Sequence, residues 1–263
     1  MKNTIKKLAP AMLILVALTT LSFMGKDGVI LRLKPQQGKT YTVTSKANMM
    51  TMLEVQGQSM NMSRSIETRQ SFNPKEVSDT QSVIETQIEA FKLSISQMGM
   101  KLEYDSEHPE KTSPMLASQT KEIEKSLNEP ITLTYDAMGK PLGDSIDIEM
   151  SQLSNVIFEL PEQELTEGSK WNVTKTQTAD NIEITVNMEF TVTDITKKSV
   201  EVSFIGNVES SEVTGTYNGT ASINPQTGLM MTSSVKQNIS MTINEQGMSI
   251  PMTMVGTTTI EVK

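Results

Sequence analysis

Phe91–Tyr104 reads FKLSISQMGMKLEY, and its spacing decides the fold class. Phe91, Leu93 and Ile95 alternate with Lys92, Ser94 and Ser96, the chain turns around Gln97–Gly99, and Met100, Leu102 and Tyr104 then alternate with Lys101 and Glu103. A repeat of two places successive side chains on opposite faces of a strand, so the stretch predicts a hairpin with one buried and one wet face.

The same period extends in both directions. Two phrases near opposite ends of the chain almost spell each other, MLEVQGQSMNM at Met52–Met62 and MTINEQGMSIPM at Met241–Met252. Each reads as a hairpin, with Gly57 and Gly247 supplying the positive φ of a tight turn. Methionines two apart project from one face of a strand. The candidate ligand-binding residues are therefore Met50, Met52, Met60, Met62, Met252 and Met254, on hairpin faces that pack on a helix or line an apolar concavity. From Trp171 to Lys263 the two-residue period resumes in IEITVNMEFTVTDI, SVEVSFIGNV and the segments that follow.

Two central segments break it. Ser113 and Pro114 suit a cap and first helical position, and Leu116, Ile123 and Leu127 share a stripe before Pro130, which predicts a helix over 114–127. Met150, Leu153, Ile157 and Leu160 step by three and four, which predicts a second short helix over 147–158, stopped by Pro161. Between them ITLTYDAMGKPLG reads as a strand, a turn at Asp136–Gly139 and a return.

The expected architecture is mainly β: one large curved antiparallel sheet or half-barrel with two short central helices. Residues 1–25 are expected to be a signal peptide and 26–263 a single β-rich domain. The starts GKTYTVT at Gly38 and GSKWNVT at Gly168 rhyme. They suggest pseudo-repeated lobes, 26–112 and 168–263, joined by the helical segment 113–167; chance similarity in a Thr- and Met-rich chain is the competing explanation.

Lys2, Lys6 and Lys7 precede the apolar run Leu8–Leu21, with small or polar residues from Thr19 to Gly25 where a peptidase could cut, the zoning of an export signal. An uncleaved anchor is opposed by Pro10 and the threonines of the same run. The protein is expected in the bacterial periplasm or outside the cell, without a stable membrane anchor after cleavage. N-terminal sequencing of the mature protein should begin between Phe23 and Val29, and an intact Met1 in the membrane fraction would overturn that expectation.

Loss of 1–25 removes three lysines and no acid, taking the formal charge from −8 to −11. Phosphate neutralisation needs a basic surface, so no nucleic-acid partner is expected. The absence of cysteine excludes disulfides, thiolate catalysis and Cys-ligated metals.

ILRLKPQQGKTYTVTSKANMMTM, EYDSEHPEKTSP, LPEQELTEGSKW and SINPQTGL together resemble an uncharacterised family of secreted bacterial β-rich envelope proteins and lipoproteins. The resemblance covers essentially the whole mature chain and implies structure, not an activity. The architecture is also similar, at fold level only, to half-barrels that carry lipoproteins or lipids across the bacterial envelope.

No motif names a reaction, so the protein is expected not to be an enzyme. The single histidine, His108, precedes Pro109 in a charged loop, and no G-x-S-x-G elbow accompanies it. Glu103, Asp105 and Glu107 would suit a glycosidase only if arranged across a cleft, which makes a hydrolase the weakest of the readings. No phosphate loop, calcium loop or zinc spacing occurs, and no cofactor is expected. The methionines allow soft Cu(I) ligation through MNM, MTM and MGM, or an adaptable apolar surface. Strand alternation already explains their shared faces, which favours the second. The expected partner is a lipid or other hydrophobic molecule; the alternative is an envelope protein docking on the same face of a structural or interaction module.

Overall fold

The computed structural model describes residues 28–263 apart from 56, 117–119, 128, 144–156, 180–181, 211 and 246–247. The expected signal peptide therefore lies outside the described residues. In chain order the strands are β1 (Tyr41–Val55), β2 (Gln58–Val77), β3 (Gln81–Gln97), β4 (Met100–Asp105), β5 (Ile131–Asp136) and β6 (Pro141–Leu142), then β7 (Lys170–Ala179), β8 (Ile182–Ile195), β9 (Val200–Glu209), β10 (Val213–Ile223), β11 (Met230–Glu245) and β12 (Met248–Val262). They form one antiparallel sheet in the order β6-β5-β3-β2-β1-β12-β11-β10-β9-β8-β7, with β4 on the far half of β3. Among the described residues β6 and β7 stay unpaired with each other, so the sheet is open. The expectation of a mainly β chain built on a large antiparallel sheet holds.

The stretch that decided the class is the β3–β4 hairpin, with register Leu93↔Tyr104, Ile95↔Leu102 and Gln97↔Met100. Its two-residue turn places Met98 and Gly99 at φ 51 and 80, the pair of positive values that matches the twist of the flanking strands. Phe91, Leu93 and Tyr104 are buried as the alternation requires.

The two rhyming phrases are the β1–β2 and β11–β12 hairpins, and β1 pairs with β12 from Val43↔Val262 to Leu53↔Met252. They resemble each other while lying side by side, with both turns at one end of the sheet. That end, the tip, also carries the β3–β4 turn; both flanks of the β1–β12 seam, Tyr41 and Val262, lie at the opposite end, the base.

At the base, alternate residues of nearly every strand meet in one apolar core. It includes Tyr135 near one margin of the sheet, Trp171 near the other, and Leu31, Leu33, Leu160 and Leu165 between them. Both margins thus bend toward the same two covering segments, 28–34 and 157–165. These segments pair through Val29 and Leu165, and Arg32 Nη1 and Nη2 donate to the carbonyls of Pro161 and Glu162 at 3.2 and 3.0 Å. Leu33 N–H donates to Ala137 O and Leu160 N–H to Met138 O, both at 2.7 Å, which fastens the cover to the β5–β6 turn.

Two central helices are not found among the described residues. One short helix, α1 (Thr120–Ser126), stands within the first predicted span. Ser113 does not open it: its N–H and Oγ are both engaged by Glu103 of β4, at 2.8 and 2.9 Å, so the residue is tied to a strand edge instead of capping a helix. The stripe itself packs as read, with Leu116, Ile123 and Leu127 against Phe91, Leu93 and Tyr104. Of the second predicted helix, 147–156 lie outside the described residues, and Ile157 and Phe158 are non-helical. Ile157 and Leu160 belong to the extended cover of the base, where a three-residue step also turns two apolar side chains inward.

Candidate functional site

Burial assigns the two faces. In β1 the odd positions Tyr41 and Val43 enter the core, so odd residues of β1 and their direct partners occupy the core face; even residues face outward. At the tip the core face is methionine-rich. Leu53 of β1 is flanked by Met60 of β2 and Met252 of β12, and Thr51 by Met62 and Met254. All four methionines are half-buried, whereas Thr51 between them keeps only 7% exposure.

Two better-packed clusters occupy the same face. Nearer the base on one side, level with Ile66 and Thr68, are Phe91, Leu93 and Tyr104 beneath α1, while Gln97 stands level with Met62. On the other are Val208, Val213 and Ile239, joined by Met241, Met254 and Tyr217. The floor contributed by β2, β1 and β12 is thus an apolar trough, partly open and walled at its own level on the side of β9, β10 and β11. Flexible thioether side chains adapt to the shape of what they touch, which is useful where the contact surface is not fixed by a tight core.

Met50 and Met52 do not belong to it. They sit at even positions of β1, pair with Ser63 and Asn61, and project from the outer face with 48% and 37% exposure. The six nominated methionines are therefore divided, four on the core face and two opposite. Met50 instead borders an open groove of about 590 Å³ on the outer face, lined by Ser63, Ser65, Ser94, Ser96 and Lys236 together with the apolar Val255.

One core-face row was not foreseen. Arg64 of β2 pairs with Met49 of β1, Met49 with Gly256 of β12, Gly256 with Gln237 of β11, and Gln237 with Tyr217 of β10. Three polar side chains thus cross an apolar face in a single register. Loss of water lowers the Arg64 guanidinium and raises the Tyr217 phenol from their ordinary pKa values. The signal was in the sequence: Met60, Met62, Arg64 and Ile66 share a parity, so alternation alone puts Arg64 on the apolar side.

The acidic cluster behaves as an ion-paired surface. Glu107 meets Arg69 at 2.9 Å and Lys92 at 3.0 Å, and Lys92 also meets Asp105 at 3.1 Å. Lys92 and Arg69 hold the Glu107 carboxyl below its ordinary value, opposite to the shift a general acid needs. His108 lies in the exposed loop after β4, with Nδ1 3.5 Å from Glu110. Among the described residues no group of three or more His, Asp or Glu could hold a metal ion.

The fold is similar to that of lipovitellin. The match has a TM-score of 0.54 at 11% identity and covers 87% of this chain. The chain spans 25% of that protein's length, so the likeness is to one part of it. An outer membrane channel of Pseudomonas putida F1 matches at a TM-score of 0.34 and 7% identity, over 88% of this chain and 98% of that one. A domain described as lipoprotein-sorting, from Vibrio parahaemolyticus, matches at 0.17 and 8%, over 81% and 83%. Values this low carry no argument. No protein-family model and no curated protein sequence matches the chain.

Proposed function

We propose that this protein is an exported, non-enzymatic binder of a hydrophobic molecule, which it holds on the tip half of its core face, in the bacterial periplasm or at the cell surface. The observation that carries the reading is the half-buried strip of Met60, Met62, Met252 and Met254 beside the packed cluster of Val208, Val213 and Ile239. A sheet buries one face against a core; here the base half of that face is filled, and the tip half offers apolar side chains that remain partly exposed. The solved structure of which this fold resembles one part is described as showing lipid–protein interactions in lipovitellin, which supports a lipid-like ligand. The zoning of the first 25 residues supports export.

Burial of about 300 Å² of ligand surface at about 25 cal/mol per Å² corresponds to roughly micromolar binding before the costs of association. The mature protein should therefore enhance the fluorescence of N-phenyl-1-naphthylamine saturably, to the same extent with or without Cu(I). No enhancement at any concentration up to the solubility of the probe would remove the hydrophobic-ligand reading, and enhancement that required copper would favour thioether ligation instead.

A further inference from the structure

We propose that the ligand of this trough is an anionic amphiphile, its head received by Arg64 and its chain running toward the tip along Met60, Met62, Met252 and Met254. This rests on the reading of the core face as a hydrophobic-ligand site and adds the chemistry of the head.

Arg64 lies on the apolar face, between Met49 and Ile95 on the neighbouring strands and between Met62 and Ile66 along its own. Among the described residues no hydrogen bond or ion pair engages its guanidinium. The other basic side chains of β2 and β3 that project outward behave differently. Arg69 meets Glu89 and Glu107, and Lys92 meets Asp105 and Glu107. Arg64 stays exposed, so its guanidinium is an accessible cation with no carboxylate against it on an otherwise largely apolar face. An arriving anion supplies the missing charge, and the planar fork of Arg fits a carboxylate or phosphate through two parallel hydrogen bonds.

The rest of the row fits the same head. Gln237 and Tyr217 bring further donors at the same level, again without a partner among the described residues. Between them and Arg64 stands Gly256. A Cβ there would come within 2.9 Å of Met49 Cγ and 3.4 Å of Gln237 Nε2, so glycine leaves the middle of the row low and clear. Above it the core face is mainly apolar toward the tip, with Thr51 within the methionine strip and Gln97 beside Met62. Polar row below and thioether strip above is the arrangement that orients an amphiphile, and the positive charge of Arg64 selects the anionic kind.

The test compares oleate with oleyl alcohol as displacers of the fluorescent naphthylamine, using mature wild-type protein, Arg64→Met and Arg64→Lys. Wild type should bind oleate at least about tenfold more tightly than the alcohol, since hydrogen bonds to a charged group are worth that much or more. Arg64→Met should bind both about equally, Arg64→Lys should recover part of the preference, and all three should melt at similar temperatures. Acetate and inorganic phosphate, which have a charge but no chain, should displace nothing. Equal binding of acid and alcohol by wild type, or a preference that survives in Arg64→Met, overturns the anionic head while leaving hydrophobe binding intact. Displacement by acetate or phosphate alone overturns the amphiphile in favour of a simple anion site. Failure of wild type to bind the probe or either displacer overturns this inference together with the function on which it rests.

Discussion

Phe190→Ala should destabilise the protein by about 3–5 kcal/mol, read as a lower urea midpoint with an unchanged slope. Phe190 is fully buried, and its ring stacks on Trp171 at 4.9 Å with 10° between planes. Phe158 and Phe204 contact it from two further directions, each at a centroid distance of 5.3 Å. The residue thus joins β7, β8 and β9 to the 157–165 cover, and truncation opens a cavity that three large rings on separate elements can close only by moving together. Trp171 is held back from such movement because its indole N–H donates to Glu159 O at 3.1 Å. Phe190→Leu, which removes less volume, should cost markedly less. A loss below about 1 kcal/mol for the alanine variant would mean that the base of the sheet collapses freely and is not the anchored core described above.

How far this arrangement was legible depends on the range of the interaction. Period-two alternation and turn chemistry are local, so FKLSISQMGMKLEY, ITLTYDAMGKPLG and IEITVNMEFTVTDI translate into β3–β4, β5–β6 and β8 with little change. The partner of a strand is not local. Nothing in the spacing of Met52–Met62 or Met241–Met252 says that β1 and β12 form the seam between the two halves of the sheet, although their pairing explains why two similar hairpins end together.

The division of the methionines was legible and was missed. With a two-residue turn at 56–57, Met52 pairs with Asn61 and Leu53 with Met60. Residues that pair share a face, so Met50 and Met52 could never have shared one with Met60 and Met62. Helical spacing misled in the other direction. Ile157 and Leu160 satisfy a step of three, but a short apolar run has no periodicity long enough to separate a helix from an extended cover, and only the hydrogen bond from Leu160 N–H to Met138 O decides it.

The facial assignment has a direct consequence for binding. Aspartate at both Met252 and Met254 should weaken naphthylamine binding by about a hundredfold or more, whereas aspartate at both Met50 and Met52 should change it less than about threefold. The two pairs are matched: each comprises methionines two apart on strands of the central seam, so the added charge and the lost thioethers are the same. They differ in face. Met252 and Met254 flank Leu53 and Thr51 on the core face, and Met254 also packs against the cluster of Val208, Val213 and Ile239, where a carboxylate would lose water with no cation opposite it. Met50 and Met52 look into solvent from the other side. Because half-buried charges also cost stability, Met252→Leu with Met254→Leu provides the control: a similar volume without charge should keep both the fold and the binding. If the outer pair abolishes binding while the core-face pair leaves it unchanged, the ligand occupies the outer groove beside Met50 and the core-face site is wrong. If the leucine pair loses binding while melting as wild type does, sulfur itself is required, and thioether ligation displaces the apolar surface as the reason these methionines stand together.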